Sequence, residues 1–323
     1  MSKIDTYVHA ATRENTRRSY QAAVRHFEIE WGGFLPATAD SIARYLVDHA
    51  ESLAINTLRQ RLAALAQWHI DQGFPDPTKA PLVRKVFRGV QALHPSQEKR
   101  ARPLQLEQLE IATGWLDGQI AAATAAGDRP AQLRCTRDKA LLLLGFWRGF
   151  RGDELTRVQV EYIEITPGEG MTCFLPRTKG DRRHAGTTFK APALARLCPV
   201  DACSAWIALS GLTDGPLFRG VDRWGHVAPN GLHINSFVPL LRSLFSDASI
   251  AFALQYSGHS LRRGFAQWAT INGWDIKTLM EYVGWKNVQS ALRYLEGADP
   301  FVQYRPQPLS DTLSGKVVGH KPE

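Results

Sequence analysis

The chain has 323 residues, of which 44% are hydrophobic, and is therefore long enough for two globular domains with separate cores. Lysine and arginine number 39 against 31 acidic residues, and the net charge of +8 favours a polyanionic partner such as nucleic acid. No apolar run approaches the roughly 20 residues of a membrane span, and the N-terminus lacks the layout of a signal peptide. We therefore expect a cytoplasmic protein with no membrane partner.

The four cysteines are irregularly spaced, which is not the pattern of a zinc site: Cys135, Cys173, Cys198 and Cys203. We interpret them as reduced thiols in the core of a cytosolic protein. No metal site is expected.

Amphipathic helices are predicted throughout the first ninety-odd residues. Apolar residues recur at spacings of three and four from Thr16, around Ile42, from about Asn56 and again after Pro81. Four such helices predict a helical domain over residues 1–95.

The periodic pattern then stops, and polar and proline-bounded residues predict a linker over residues 96–104. Between Lys79 and Arg102 there are seven basic residues against the single acid Glu98. A stripe of one sign that enters a linker is more often a phosphate contact than a solvated face. The seven are Lys79, Arg84, Lys85, Arg88, Lys99, Arg100 and Arg102.

A larger domain is predicted over residues 105–300, followed by a tail over 301–323. Residues 141–147 are apolar on every side, which is typical of a helix through the centre of a domain, and we expect its continuation to carry Arg151. Strand-like runs follow at about 160–165, 171–176 and 185–190. A polar turn that contains Lys179 joins the last two runs, and helices are expected to resume from there to the end.

Several polar residues stand out in this second domain because of their spacing. Glu154 follows Arg151 by three residues, and Arg262 follows His259 by three at the start of a predicted helix. Taken alone, a histidine and an arginine at this spacing carry little weight, because chance predicts about one such pair. A Gly-Trp pair ending at Trp285 follows, and Tyr294 comes nine residues later.

An Arg-x-x-Glu, a lysine in a β-turn, a His-x-x-Arg, a glycine before His or Trp, and a tyrosine nine residues later form the motif of the tyrosine recombinase (phage integrase) family. The chain resembles this family over nearly its whole length, in a pattern similar to the Cre-like and Xer-like site-specific recombinases. The resemblance implies a mainly α fold with a small β-sheet. It comprises a helical core-binding (SAM-like) domain and a mixed α/β catalytic domain, which together form a C-shaped clamp on DNA.

The resemblance also implies a role for each motif residue. Transesterification of a phosphodiester develops negative charge on the non-bridging oxygens, which the guanidinium groups of Arg151 and Arg262 can bind as forks. His259 would donate a hydrogen bond or help to deprotonate the nucleophile, and the indole N–H of Trp285 would donate another. Tyr294 would attack the phosphorus to give a 3′-phosphotyrosine.

Two further roles follow from the same resemblance. Lys179 matches the general acid that protonates the leaving 5′-oxygen, and Glu154 would orient Arg151 as a supporting carboxylate. The chemistry needs no cofactor, no metal and no ATP. Some alternatives stay open: Trp285 could be a core aromatic, and Tyr282 is a rival nucleophile that we interpret as helix packing. The basic residues that compete with Lys179 are Arg177, Arg182 and Arg183.

The expected partner is double-stranded DNA with inverted half-sites, bound by a homotetramer in the synaptic complex, with a possible accessory DNA-binding protein. We expect the protein to act in the cytoplasm, associated with the nucleoid. The side chains predicted to face the major groove are Arg17, Arg18, Arg59 and Arg61. The tail after Tyr294 would either dock on a neighbouring protomer or form a frayed end.

The short segment before the first helix leads us to expect no arm-binding domain of the kind found in many phage integrases. This favours resolution of transposon or plasmid co-integrates or dimers over integration of a phage or other element. A type IB topoisomerase would use similar chemistry, and a non-catalytic DNA-binding regulator of the same fold is the alternative from a different class.

Overall fold

The computed structural model describes residues 3, 7, 11–95, 101–178 and 185–295. The chain divides into two units, Met1–Lys99 and Arg100–Glu323, and the division falls inside the predicted linker. No helix in the described ranges is long and apolar enough to cross a membrane.

Unit 1 contains the four predicted helices, which are confirmed. They are α1 (Glu14–Arg25), α2 (Ala39–Asp48), α3 (Ile55–Asp71) and α4 (Pro81–Leu93). α1 continues through a π-helical turn, His26–Glu30, which ends just before Gly32 at a φ of +77°. Phe27, Ile42 and Leu58 are fully buried in the core between these helices. The apolar stripes read from the sequence are therefore the faces that pack.

A polar cluster lies at the edge of this core. The Tyr45 hydroxyl lies 2.9 Å from Nδ1 of His26, and burial raises the pKa of Tyr45 to about 12. Because the phenol keeps its proton, it donates to a neutral imidazole. Burial lowers the pKa of His26, the nearby Arg61 and His49 lower it further, and Glu30 opposes them. The cluster is thus built around an uncharged His26.

Acidification should destabilise unit 1 through His26. Since the folded-state pKa lies below the unfolded value near 6.5, the unfolded chain binds more protons, so the stabilisation is complete above about pH 6.5 and falls as the pH drops below it. We expect calorimetry of the full chain to show a smaller loss of melting temperature between pH 7.5 and 5.5 in His26→Gln than in the unaltered protein. Equal losses would contradict this assignment.

Unit 2 is mainly helical and carries two small antiparallel sheets. Its helices are α5 (Leu106–Ala126), α6 (Arg129–Trp147), α7 (Gly152–Leu155), α8 (Pro199–Ser210), α9 (Ile234–Asp247), α10 (Gly258–Ile271), α11 (Ile276–Val283) and α12 (Val288–Leu295). Its strands are β1 (Ile163–Thr166), β2 (Gly170–Leu175), β3 (Thr187–Pro192), β4 (Arg219–Val221) and β5 (Val227–Gly231). The expected fold class, mainly α with a small sheet, is confirmed.

The central helix and the first sheet form the core of unit 2. Every residue of α6 from Ala140 to Trp147 is buried, as its continuous apolar sequence predicts. β1, β2 and β3 form a meander in sequence order, and β2 pairs with β3 with Cys173 opposite Phe189. Both of these side chains are buried, whereas Phe174 is partly exposed, so the alternation along β2 directs one face of the sheet to the core.

Two sequence-based expectations for unit 2 were wrong. The region after the third strand is not purely helical, because β4 and β5 form a second sheet. These strands are short, and β5 contains a proline and an asparagine, so they lack the alternation of apolar and polar residues that indicates a strand.

The central helix also does not continue to Arg151. It ends at Trp147, and Gly149 adopts a φ of +54°. The Gly149 amide donates to Phe146 O and the Phe150 amide donates to Gly145 O, which is the bond pattern of a Schellman helix end. The glycine therefore turns the chain before Arg151.

The segment entering unit 2 packs directly on α10 at Gly264. The Leu104 amide donates to Ser260 O at 3.0 Å, and a Cβ on Gly264 would stand 1.8 Å from Leu104 O. Only a hydrogen side chain allows this approach, since the obstructing atom belongs to the backbone.

Gly264→Ala should accordingly lower the free energy of unfolding by about 1–3 kcal/mol, because the backbone at Leu104 must move. Gly114→Ala is the matched control: Gly114 lies inside α5 with open space around its Cα, and alanine there should stabilise the helix by about 0.5–1 kcal/mol. Urea unfolding of both variants measures the difference. Equal stability of the two variants would show that the backbone at Leu104 moves without a cost in free energy.

Candidate active site

Arg151 is placed by the turn that ends the central helix. It is the N-cap of α7, and its backbone amide donates to the Glu154 carboxylate at 3.0 Å. Its guanidinium donates to the same carboxylate at 2.5 Å. The short helix therefore folds Glu154 back over Arg151 and leaves the arginine side chain about a fifth exposed.

Glu154 also faces the second arginine of the motif. Nη1 of Arg262 lies 3.5 Å from Oε2 of Glu154, so one buried carboxylate is paired with both guanidinium groups. The sequence predicted its contact with Arg151 alone. Sharing one carboxylate brings two like charges into the same pocket, where they attract an anion.

Arg262 is fully buried and is held by backbone carbonyls. It donates to Gly149 O at 2.6 Å and to Val283 O at 3.4 Å. Burial, with a further contribution from the neighbouring Arg151, lowers its pKa to about 10, and Glu154 acts in the opposite direction. At neutral pH the group stays cationic, so this is a desolvated positive charge.

α10 carries His259 and Arg262 at its first turns. Ser257 caps this helix by accepting the His259 amide, and His259 is exposed whereas Arg262 points into the core. Nδ1 of His259 lies 3.0 Å from the phenol oxygen of Tyr294 on α12. In the tautomer protonated at Nε2, Nδ1 of the imidazole accepts a hydrogen bond from the phenol hydroxyl.

Trp285 follows the turn that ends α11. Gly284 adopts a φ of +75° there, and the Trp285 indole ring lies 5.0 Å from the Tyr294 ring and 5.0 Å from the guanidinium of Arg262. Nε1 of Trp285 is buried and has no hydrogen-bond partner among the described residues. An unsatisfied buried donor is costly, and a bound acceptor would satisfy it.

Of the seven residues predicted for the site, the structure brings six together: Arg151, Glu154, His259, Arg262, Trp285 and Tyr294. Lys179 lies outside the described residues, as do its competitors Arg182 and Arg183. Tyr282 is packed as expected: its hydroxyl donates to Trp147 O and its ring lies against Phe265. The described residues hold no group of three or more His, Cys, Asp or Glu placed to bind a metal.

The predicted DNA-contacting residues of α1 and α3 differ in their local partners. Arg17 and Arg18 each pair with Glu14 within α1. Arg59 is exposed and donates to Asn56, whereas Arg61 is half-buried beside Tyr45. The arginines of α1 and Arg59 are thus held at the surface, and the groove-reading role of all four stays a prediction.

The predicted basic stripe is exposed on α4, where its members are Arg84, Lys85 and Arg88. Arg102 stacks on the Phe252 ring at 4.8 Å, and its amide donates to Gln255 O. Lys99 and Arg100 lie outside the described residues. Phosphate contact by this stripe stays a prediction.

Nothing in the sequence identified the acceptors that hold Arg262. Gly149 O and Val283 O are backbone atoms of two segments far apart in the chain, and residue identity does not indicate which backbone carbonyls meet after folding. Gly149 and Gly284 are the available signal, because Gly149 adopts the left-handed turn that presents its own carbonyl and Gly284 adopts the one that follows Val283.

Comparison with known proteins agrees with this geometry. Residues 230–299, which contain four of the motif residues, match the model of the Phage integrase family. The chain is 28% identical over 298 residues to the integrase/recombinase xerD homolog of Selenomonas ruminantium, covering 89% of this chain and 83% of that protein. It is 28% identical over 296 residues to the recombinase cre of Escherichia phage P1, covering 87% and 82%.

The fold is shared with solved structures. The Tn1549 transposon integrase in complex with transposon right-end DNA superposes with a TM-score of 0.59 at 16% identity, covering 89% of this chain and 91% of that one. These matches confirm the resemblance to the tyrosine recombinase (phage integrase) family that the motif predicted.

Proposed function

We propose that this protein is a site-specific tyrosine recombinase that cleaves and rejoins duplex DNA through a 3′-phosphotyrosine intermediate. The observation that carries the proposal is the convergence of one phenol with the donors an anion needs. Tyr294 lies beside His259, with the ring of Trp285 and the guanidinium of Arg262 at 5.0 and 5.7 Å from its own ring.

The scissile phosphate would bind in front of the two arginines. Arg151 is part-exposed and Arg262 is desolvated, so their charges stay strong where the non-bridging oxygens gain charge. The unpartnered indole N–H of Trp285 would donate to one of these oxygens. These donors are held in place before the reaction and need not reorganise during it.

In the proposed cleavage step, the Tyr294 oxygen bonds to phosphorus and the bond from phosphorus to the 5′-oxygen breaks. His259 accepts the phenol proton through Nδ1, and a general acid delivers a proton to the departing 5′-oxygen. Lys179 fills that role on its position in the motif. The phosphotyrosine conserves the energy of the broken phosphodiester bond, so a 5′-hydroxyl of another strand can displace the tyrosine without ATP or metal.

The proposed substrate is double-stranded DNA with inverted half-sites, bound by a homotetramer in the cytoplasm on nucleoid DNA. The related proteins support the DNA partner, because a protein of the same fold is seen with transposon-end DNA. An accessory DNA-binding protein belongs to the same proposal. Strand exchange joins four DNA ends, which is why four protomers are needed.

The chemistry is tested with a nicked suicide substrate. Duplexes bound by the full chain are selected from a randomised library, and a nick is placed next to each candidate cleavage position so that the short 5′-hydroxyl fragment diffuses away. A recombinase accumulates a covalent adduct that survives denaturing electrophoresis. Binding without any adduct would instead support the non-catalytic regulator, and relaxation of supercoils without exchange between two sites would support a topoisomerase.

For the biological role, we propose resolution of transposon or plasmid co-integrates or dimers, with integration of a phage or other element as the alternative. Two relatives are named an integrase/recombinase and a recombinase, which supports recombination as the activity. Two selected sites on one plasmid and on two separate plasmids would measure deletion against integration. Predominant integration would reverse the assignment.

A further inference from the structure

Arg148 is buried beside the turn that leads to Arg151, and it contacts β3 and the end of α11. It is only 2% exposed and lies at the C-terminal end of the central helix. Nη1 donates to Lys190 O on β3 at 2.9 Å, and Nη2 donates to Tyr282 O at the end of α11 at 2.5 Å. One guanidinium therefore joins three elements that are distant in the chain.

Aromatic rings enclose the same guanidinium. Its Cζ lies 3.9 Å from the centre of the Tyr282 ring, 5.1 Å from that of Phe189 and 5.7 Å from that of Phe150. Among the described residues no carboxylate lies within ion-pair distance of Arg148. Ring faces and carbonyl dipoles stabilise its charge at close range, and the Glu154 carboxylate acts from farther away. A buried cation without an acid is expensive to keep, which argues for a role beyond filling space.

The two buried arginines hold the same pair of loops. Arg148 binds Tyr282 O, and Arg262 binds the next carbonyl, Val283 O, together with Gly149 O. Consecutive carbonyls of the turn before Trp285 are therefore fixed to the loop before Arg151. Arg262 also contacts Glu154 and the rings of Trp285 and Tyr294, whereas Arg148 binds the carbonyls of Lys190 and Tyr282, which lie outside the motif.

We propose that Arg148 is a positioning residue for the transesterification, an inference that rests on the proposed function. Its forked contacts hold the 282–285 turn and β3 against the 148–151 loop. The Trp285 indole N–H and the Arg151 guanidinium are thereby kept at the spacing of one phosphate.

The first test compares Arg148→Met with the unaltered chain on the suicide substrate. Methionine fills the cavity without the fork, and a displacement of about 1 Å at a reacting group costs up to about 100-fold in rate. We expect the single-turnover cleavage rate constant to fall about 10- to 100-fold, while the dissociation constant for the duplex changes less than about twofold.

Arg137→Met is the matched control, because Arg137 is a buried arginine at the opposite half of the same helix. It donates to Arg219 O and pairs with Asp138, and neither partner is a motif residue. Its loss should reduce stability and leave the cleavage rate constant of the folded protein unchanged. Equal slowing by both substitutions would overturn the proposal, since it would mark a general effect of losing a buried arginine.

Arg148→Lys separates the fork from the charge. Lysine keeps the cation but, as a single point of donation, cannot span Lys190 O and Tyr282 O as the planar guanidinium does. We expect cleavage to stay slow in this variant. Recovery of the full rate would overturn the positioning role in favour of a purely electrostatic one.

Fluorine NMR reports directly on the surroundings of Trp285. With 5-fluorotryptophan at the nine tryptophans, the Trp285 resonance is assigned by its loss in Trp285→Phe. Arg148→Met should shift or broaden this resonance and leave that of Trp206 in place, because Trp206 is buried elsewhere and donates to Leu217 O. An unmoved Trp285 resonance would contradict the proposal.

The suicide substrate separates failure of this proposal from failure of the proposed function. If the unaltered chain forms no adduct, the proposed function fails. If it forms the adduct and Arg148→Met matches its rate, only the role of Arg148 fails.

Discussion

Replacing Tyr294 by phenylalanine should abolish the covalent adduct with the suicide substrate while the affinity for the duplex stays within about twofold. The substitution removes one oxygen, which is the atom that would bond to phosphorus, and leaves the ring packed against Trp285. We expect the adduct to fall below detection, and gel-shift titration of the same preparation measures binding.

Tyr162→Phe serves as the matched control for this experiment. Tyr162 is a part-exposed tyrosine of the same unit whose ring contacts Phe174 and none of the motif residues that the structure describes. Its variant should form the adduct at the normal rate. An adduct that persisted in Tyr294→Phe would identify a different nucleophile and remove the central element of the proposed mechanism.

Glu154→Gln should be the other substitution with a large effect, on stability and on cleavage together. The amide keeps the size of the side chain but removes the charge that is shared by Arg151 and Arg262. Because Arg262 is fully buried, losing its ion-pair partner leaves an uncompensated charge, which costs about 3 kcal/mol of unfolding free energy. Both arginines also lose their common anchor, so cleavage should slow by about 100-fold.

Asp153→Asn provides the control for Glu154→Gln. Asp153 precedes Glu154 in the same short helix but pairs with Arg157 at the surface. Exposed ion pairs contribute little, so this change should alter stability by less than about 0.5 kcal/mol and leave cleavage intact. Urea unfolding and suicide-substrate kinetics would be measured on both. If the two variants behaved alike, the shared carboxylate would not be what holds the arginines.

The elements with strong local signals were predictable from the sequence. The helices of unit 1 followed from apolar spacing, and the buried run of α6 followed from its uniform apolar character. The meander β1–β3 was found to within a few residues, whereas the second sheet was missed because β4 and β5 have neither length nor alternation. Local sequence patterns therefore predicted only those elements whose buried face is evident from the spacing or the apolar character of their own residues.

The sequence by itself determined which side chains form the candidate site, because their chemical types and spacing are properties of the chain. Tertiary structure alone decided how they are held. The contacts of Arg262 with Glu154 and Gly149 O, and of Arg148 with Tyr282 O, join segments more than a hundred residues apart. Such contacts depend on where backbone carbonyls arrive after folding, and since every residue carries the same carbonyl, residue identity does not encode them.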